Sequence, residues 1–175
     1  MKLFSENIED LRTLYINSLK KALDMEQKIT KALPTMIQES TDPELANAFR
    51  NHLQETQGHV AKVESLLREA TGDAGTSTCK AISSLITEAE DNIKDAGDES
   101  IRDISLIASA QQVEHHEIAV YGTLRSWAEL LGDNIAAETL ESILDEEKAA
   151  DETLTAISDT VNTSAEPTKA AAVYR

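Results

Sequence analysis

Eight ionisable side chains fall on the apolar stripes of four long helical segments: Glu26, His52, Glu55, His59, Glu114, Glu117, Glu147 and Asp151. An unpaired charge buried in a protein interior costs several kcal/mol, so a soluble fold seldom collects this many without a counter-charge. The stripes themselves are regular. In the first segment Leu11, Tyr15, Leu19, Ala22, Ile29, Leu33 and Ile37 recur at helical spacing, with Glu26 among them. Any fold for this chain must bury four such stripes against one another and must also find a partner for the acids they carry.

The segments are read from their punctuation. Ser5 is an N-cap candidate for a first helix from about Glu6 to about Glu39, with Pro34 expected to kink it or loosen its last turn. Thr41-Asp42-Pro43 supplies cap and first-turn proline for a second helix to about Ala70. After the loop from Gly72 to Thr78, a shorter amphipathic segment runs from Cys79 to about Ala96. Gly97-Asp98 ends it. A third long helix is expected from about Glu99 to Leu131, and a fourth from about Ile135 to Val161 after the turn at Gly132-Asp133-Asn134. Two short connections make two antiparallel hairpins, and the long middle connection carries its own helix. The expected fold is therefore all-α, a four-helix bundle with one crossover, over residues 1–161, followed by a flexible tail over 162–175. The halves form a coarse repeat: an offset of 91 places Glu26 on Glu117, Leu33 on Leu124 and Leu53 on Leu144.

Composition narrows the function. Hydrophobic residues make up 41% and aromatic residues only 3%, which favours helix over sheet. The net charge of −16 argues against nucleic acid and against an anionic membrane surface. One cysteine, Cys79, excludes an intramolecular disulfide and a four-cysteine metal knuckle. The polar start and the lack of any apolar run near the ~18 residues of a membrane span make a cytoplasmic location the expectation.

On the second helix His59 projects about 20° from His52, and Glu55 about 60° from it, on the face of Leu45, Phe49, Thr56, Val63 and Leu66. Glu114 and Glu117 share a face with Ile107, Ala110, Tyr121 and Ala128, while His115 and His116 point away from it. Glu147 and Asp151 sit among Leu140, Leu144, Leu154 and Val161. Arg12 and Arg125 lie near the core faces but about two turns or more from the acidic layer, too far to balance most of it. Carboxylates and imidazoles together suit a transition metal, and carboxylates can bridge two ions.

These residues carry a resemblance. Asp24-Met25-Glu26-Gln27, the stretch from His52 to Val60 and above all that from Val113 to Gly122 resemble the YciE/YciF-type stress-response family of the ferritin-like superfamily; Ala32-Leu33-Pro34 and the run from Glu146 to Asp151 add to it. The resemblance implies a ferritin-like bundle, a homodimer and a role in salt, osmotic or oxidative stress. It places Glu26 on the superfamily's lone glutamate and likens Glu114 and Glu117 to the doubled glutamate of rubrerythrins. Two departures stand out. The second helix offers Glu55-x-x-x-His59 with His52 as a rival, and the fourth offers Glu147-x-x-x-Asp151 with no histidine, where the pattern is Glu-x-x-His.

The metal-site expectation is accordingly Glu26, Glu55, His59, Glu114, Glu117, Glu147 and Asp151, with His52 as a ligand or a hydrogen-bonding neighbour. Two ions, iron first and manganese second, would react with peroxide or oxygen as a peroxidase, catalase or ferroxidase. No Cys-x-x-Cys pair is present, so the electron donor would be external. Tyr121 is expected as a core tyrosine whose hydroxyl bonds a carboxylate, and Cys79 as a small buried residue at a helix start. The contrasting expectation is a non-catalytic stress scaffold with structural metal or none; iron storage ranks behind both.

Overall fold

The computed structural model describes residues 8–164, and every regular element within them is helical. In chain order these are α1 (Leu11–Glu39), α2 (Pro43–Thr71), α3 (Lys80–Asp95), α4 (Glu99–Leu130) and α5 (Asn134–Ser164). The all-α bundle expected from the four stripes is the observed architecture. α1 pairs with α2 and α4 with α5 as hairpins; α1 then packs on α4, and α2 on α5. The crossover helix α3 lies outside this square, across α1 and α4.

The helix ends follow local chemistry. α2 opens on Asp42, whose carboxylate accepts from the N–H groups of Glu44 and Leu45, with Pro43 in the first turn. It closes on Gly72 at φ 81°, the left-handed conformation that glycine adopts without strain. The start of α1 differs from expectation. Residues 8–10 are not helical, and Asp10 is the cap, accepting from Thr13 N–H at 2.7 Å. A carboxylate at that position satisfies an orphan donor of the first turn, so the helix begins there. The Ser5 cap lies outside the described residues, as does the tail beyond Ser164. α1 runs through Pro34 to Glu39, and α5 continues three residues past Val161.

The core is the sum of the four stripes. Leu19, Leu23, Leu45, Leu67, Leu106, Leu124, Leu140 and Ile143 are essentially inaccessible, each contributing roughly 1.5–3 kcal/mol by leaving water. Two polar clamps fix the periphery. Asp103 on α4 accepts from Thr41 N–H (2.9 Å), Thr41 Oγ1 (2.6 Å) and Asp42 N–H (2.8 Å), which fastens the α1–α2 turn. Asp24 on α1 accepts from Cys79 N–H and from Lys28 Nζ, and Lys28 also donates to Ser83 Oγ. That network ties the start of α3 to α1. Cys79 is buried there, as expected.

Candidate metal centre

Each long helix delivers polar side chains to the middle of the bundle. α1 brings Glu26, α2 brings His52 and His59, α4 brings Glu114 and Glu117, and α5 brings Glu147. All six are buried; Glu26, His59 and Glu147 have no accessible surface. Helical periodicity is the reason. Glu114 and Glu117, one turn apart, share a face and reach one layer, whereas His52 and His59, two turns apart on one face, serve two successive layers.

They form two ligand-like groups. One donor atom from each of His52, Glu114, Glu117 and Glu147 lies within 4.8 Å of the others, and the same holds for Glu26, His59 and Glu147. Glu147 belongs to both. His52 Nε2 faces Glu114 Oε1 at 3.3 Å. His59 Nδ1 stands 3.0 Å from Glu147 Oε1 and 3.8 Å from Glu26 Oε2. Most of these atoms make no hydrogen bond. Among the described residues, eleven buried side-chain nitrogen and oxygen atoms lack such a partner, and nine of them belong to these six residues.

Three neighbours orient the centre. The Tyr121 hydroxyl donates a short hydrogen bond to Glu26 Oε1, and its ring meets His59 edge-on. This is the carboxylate contact expected of Tyr121. Glu146 holds His59 Nε2 at 2.6 Å and accepts from Lys62 Nζ at 2.9 Å. With Nε2 so engaged, Nδ1 is the atom turned toward Glu26 and Glu147, the usual arrangement of a carboxylate behind a ligating imidazole. Sequence reasoning passed over Glu146 because it neighbours Glu147 yet lies off the stripe. The signal for it was His59-x-x-Lys62, which sets a base and a cation on one face of α2.

Glu55 and Asp151 stand outside both groups. Glu55 is exposed, its carboxylate 3.7 Å from His52 Nδ1. Asp151 accepts from Gln111 and lies 3.5 Å from His115, at the α4–α5 seam. The arginines stay away as expected: Arg12 reaches the Ala70 carbonyl, and Arg125 pairs with Glu129 and Glu141.

The electrostatics fit cations. Burial pushes Glu26 and Glu117 above the usual carboxylate range, with neighbouring carboxylates adding to the rise, and pushes Glu114 up to about 8. Burial alone would lower both imidazoles. The surrounding carboxylates outweigh it and raise His52 to about 9 and His59 to about 10. Protons thus occupy a place that metal ions compete for. Four ionised carboxylates (Glu26, Glu114, Glu117, Glu147) carry −4, and two divalent ions beside neutral imidazoles carry +4, which sums to zero. The donor set, its unpartnered atoms and this charge balance all fit a pair of divalent transition-metal ions.

Residues 10–166 match a family described as a domain of unknown function, DUF892. Protein YciF of Escherichia coli (strain K12) is 36% identical over 162 residues, which span 91% of this chain and 98% of that protein. The chain belongs to the YciF-type family. Two solved structures superpose closely on this chain. The E. coli stress protein YciF has a TM-score of 0.85 at 34% identity, covering 89% of this chain and 99% of that one. YcfI from Rhodopseudomonas palustris, described as a putative structural protein, has a TM-score of 0.84 at 38% identity, covering 87% and 97%. No helix among the described residues is long and apolar enough to cross a membrane.

Proposed function

We propose that this YciF-type protein is a dinuclear metal protein of the stress response that reacts with peroxide or oxygen. The observation that carries the reading is the nine unpartnered buried donor atoms converging from four helices. His52, Glu114, Glu117 and Glu147 would hold one ion, and Glu26, His59 and the shared Glu147 the other. Iron is the first choice and manganese the second, and the pair would supply electrons to a bound oxidant. The chain's own contribution is placement. Tyr121 fixes Glu26 through Oε1 and leaves Oε2 facing His59. Glu146 fixes the imidazole of His59, and apolar side chains pack above and below the site. Glu55 stands beside His52 at the edge of the site, and Asp151 closes the seam further along α5. The reductant is external, and the protein works as a homodimer in the cytoplasm.

The solved relative described as a putative structural protein favours the contrasting role, a scaffold without turnover. Elemental analysis separates the two. The untagged protein, loaded anaerobically with Fe(II) or Mn(II), is expected to retain about two ions per chain. The double variant Glu26→Ala/Glu117→Ala is expected to lose them. Absence of specific metal in the parent protein under both loadings would overturn the redox reading and leave the scaffold.

A further inference from the structure

A cavity of about 330 Å³ opens between α1, α3 and α4 and ends at the metal-centre face of α2. Its walls are Ile29 and Ala32 of α1, Ile86 and Ile93 of α3, and Val113 of α4. At its inner end are the buried Phe49, His52 and Glu114, where His52 Nε2 and Glu114 Oε2 lack hydrogen-bond partners. At its rim Lys31 faces solvent beside Glu90, and Lys28 is held by Asp24 and Ser83. A largely apolar pocket closing on a few polar atoms is the usual form of a small-molecule site.

We infer that this cavity binds an uncharged, chain-like organic molecule whose single oxygen-bearing end group meets His52 and Glu114. The inference rests in part on the metal reading, since those two residues also belong to the first ligand group. Charge selects the class. A carboxylate head would enter a protein of net charge −16, and a charged head of either sign would shed its hydration into apolar walls. A neutral alcohol or hydroperoxide head meets neither obstacle. Size sets the length. A cavity of ~150 Å³ takes benzene, so one of this size takes roughly twice as many heavy atoms, on the order of 12. A second, smaller opening of about 140 Å³ reaches the same histidine between α2 and α5, past Asn51, Glu55 and Glu146. Filling the first cavity therefore leaves a polar approach to the centre intact.

The test is calorimetric titration of the full chain, metal-free and Co(II)-loaded, with 1-decanol, decanoate and decyltrimethylammonium. One decanol is expected per chain, with the two charged analogues weaker by about tenfold or more. Decanol is expected to shift the visible absorption of bound Co(II). Ala32→Phe should weaken decanol by about tenfold while metal stoichiometry stays that of the parent. Ile86→Ala, which enlarges the cavity, should move the preference toward the larger 1-dodecanol and keeps the test alive if Ala32→Phe does not fold. Equal affinity for all three head groups, indifference to both substitutions, or an unmoved Co(II) spectrum at saturating decanol would overturn the proposal. If Co(II) fails to load and decanol still binds with the same head-group order, the pocket stands and the metal reading falls.

Discussion

Two places in this molecule bury carboxylates, and they do it in opposite ways. Asp103 is nearly inaccessible, yet it accepts three hydrogen bonds from the α1–α2 turn and needs nothing else. Glu117, Glu114 and Glu147 are equally buried and between them leave five carboxylate oxygens without a hydrogen-bond donor. Burial of an acid is therefore not the mark of a metal centre. The mark is burial without donors, repeated on several helices that aim at one layer.

That contrast can be broken in several ways. The largest effect is expected from metal itself. Loading at about a thousandfold excess over the dissociation constant should stabilise the fold by roughly 4 kcal/mol per independent site, read as a rise in Tm that chelation reverses. A Tm indifferent to iron and manganese would place the centre with Asp103 as mere structure. Next comes Asp103→Ala, which strands two backbone N–H groups and a hydroxyl. It should cost about 3 kcal/mol in urea unfolding, with and without metal alike. A loss confined to the loaded protein would contradict the division drawn here.

Glu117→Leu should do the reverse. Replacing an unpartnered buried acid by an apolar side chain of similar size should raise the stability of the metal-free protein by about 1–2 kcal/mol while lowering metal stoichiometry. Destabilisation in the metal-free state would mean that Glu117 already has a structural partner. The most gradual effect is spread over pH. Glu114, at about 8 when folded, and His52 and His59, at about 9 and 10, all lie above their ordinary values. A raised folded pKa gives stability that is complete below the unfolded value and is lost as pH rises through the folded one. The chelated protein should therefore weaken steadily from about pH 4.5 to about pH 10, while metal affinity climbs over the same range as protons leave the ligands. Chelated stability that rises with pH would show that the centre is not the dominant titrating element.

The sequence displayed the bundle plainly because four long apolar stripes and their caps act locally. Pro43, Gly72 and Gly132 punctuate the chain through backbone geometry alone. Six of the eight acids and histidines converge because each lies squarely on its stripe. Glu55 and Asp151 show where helix-wheel reasoning thins out. Glu55 sits at the edge of its stripe, and the neighbouring helix decides whether such a residue turns inward; here it faces solvent. Asp151 follows Glu147 by one turn, but Gln111 and His115 across the seam hold it there. Glu146 was invisible for the converse reason, since its role comes from His59 and Lys62 on another helix. The start of α1 was misplaced because helical spacing alone does not fix where a helix begins; the Asp10 carboxylate, accepting from Thr13 N–H, does.

Glu146 has one more consequence. It is about one third exposed, while the imidazole it holds is fully enclosed. The His59 ring therefore joins the interior to the surface: Nδ1 faces the buried acids and Nε2 touches a carboxylate that water reaches. An ion bound among those acids would have a proton route to solvent along that ring, with the bundle closed.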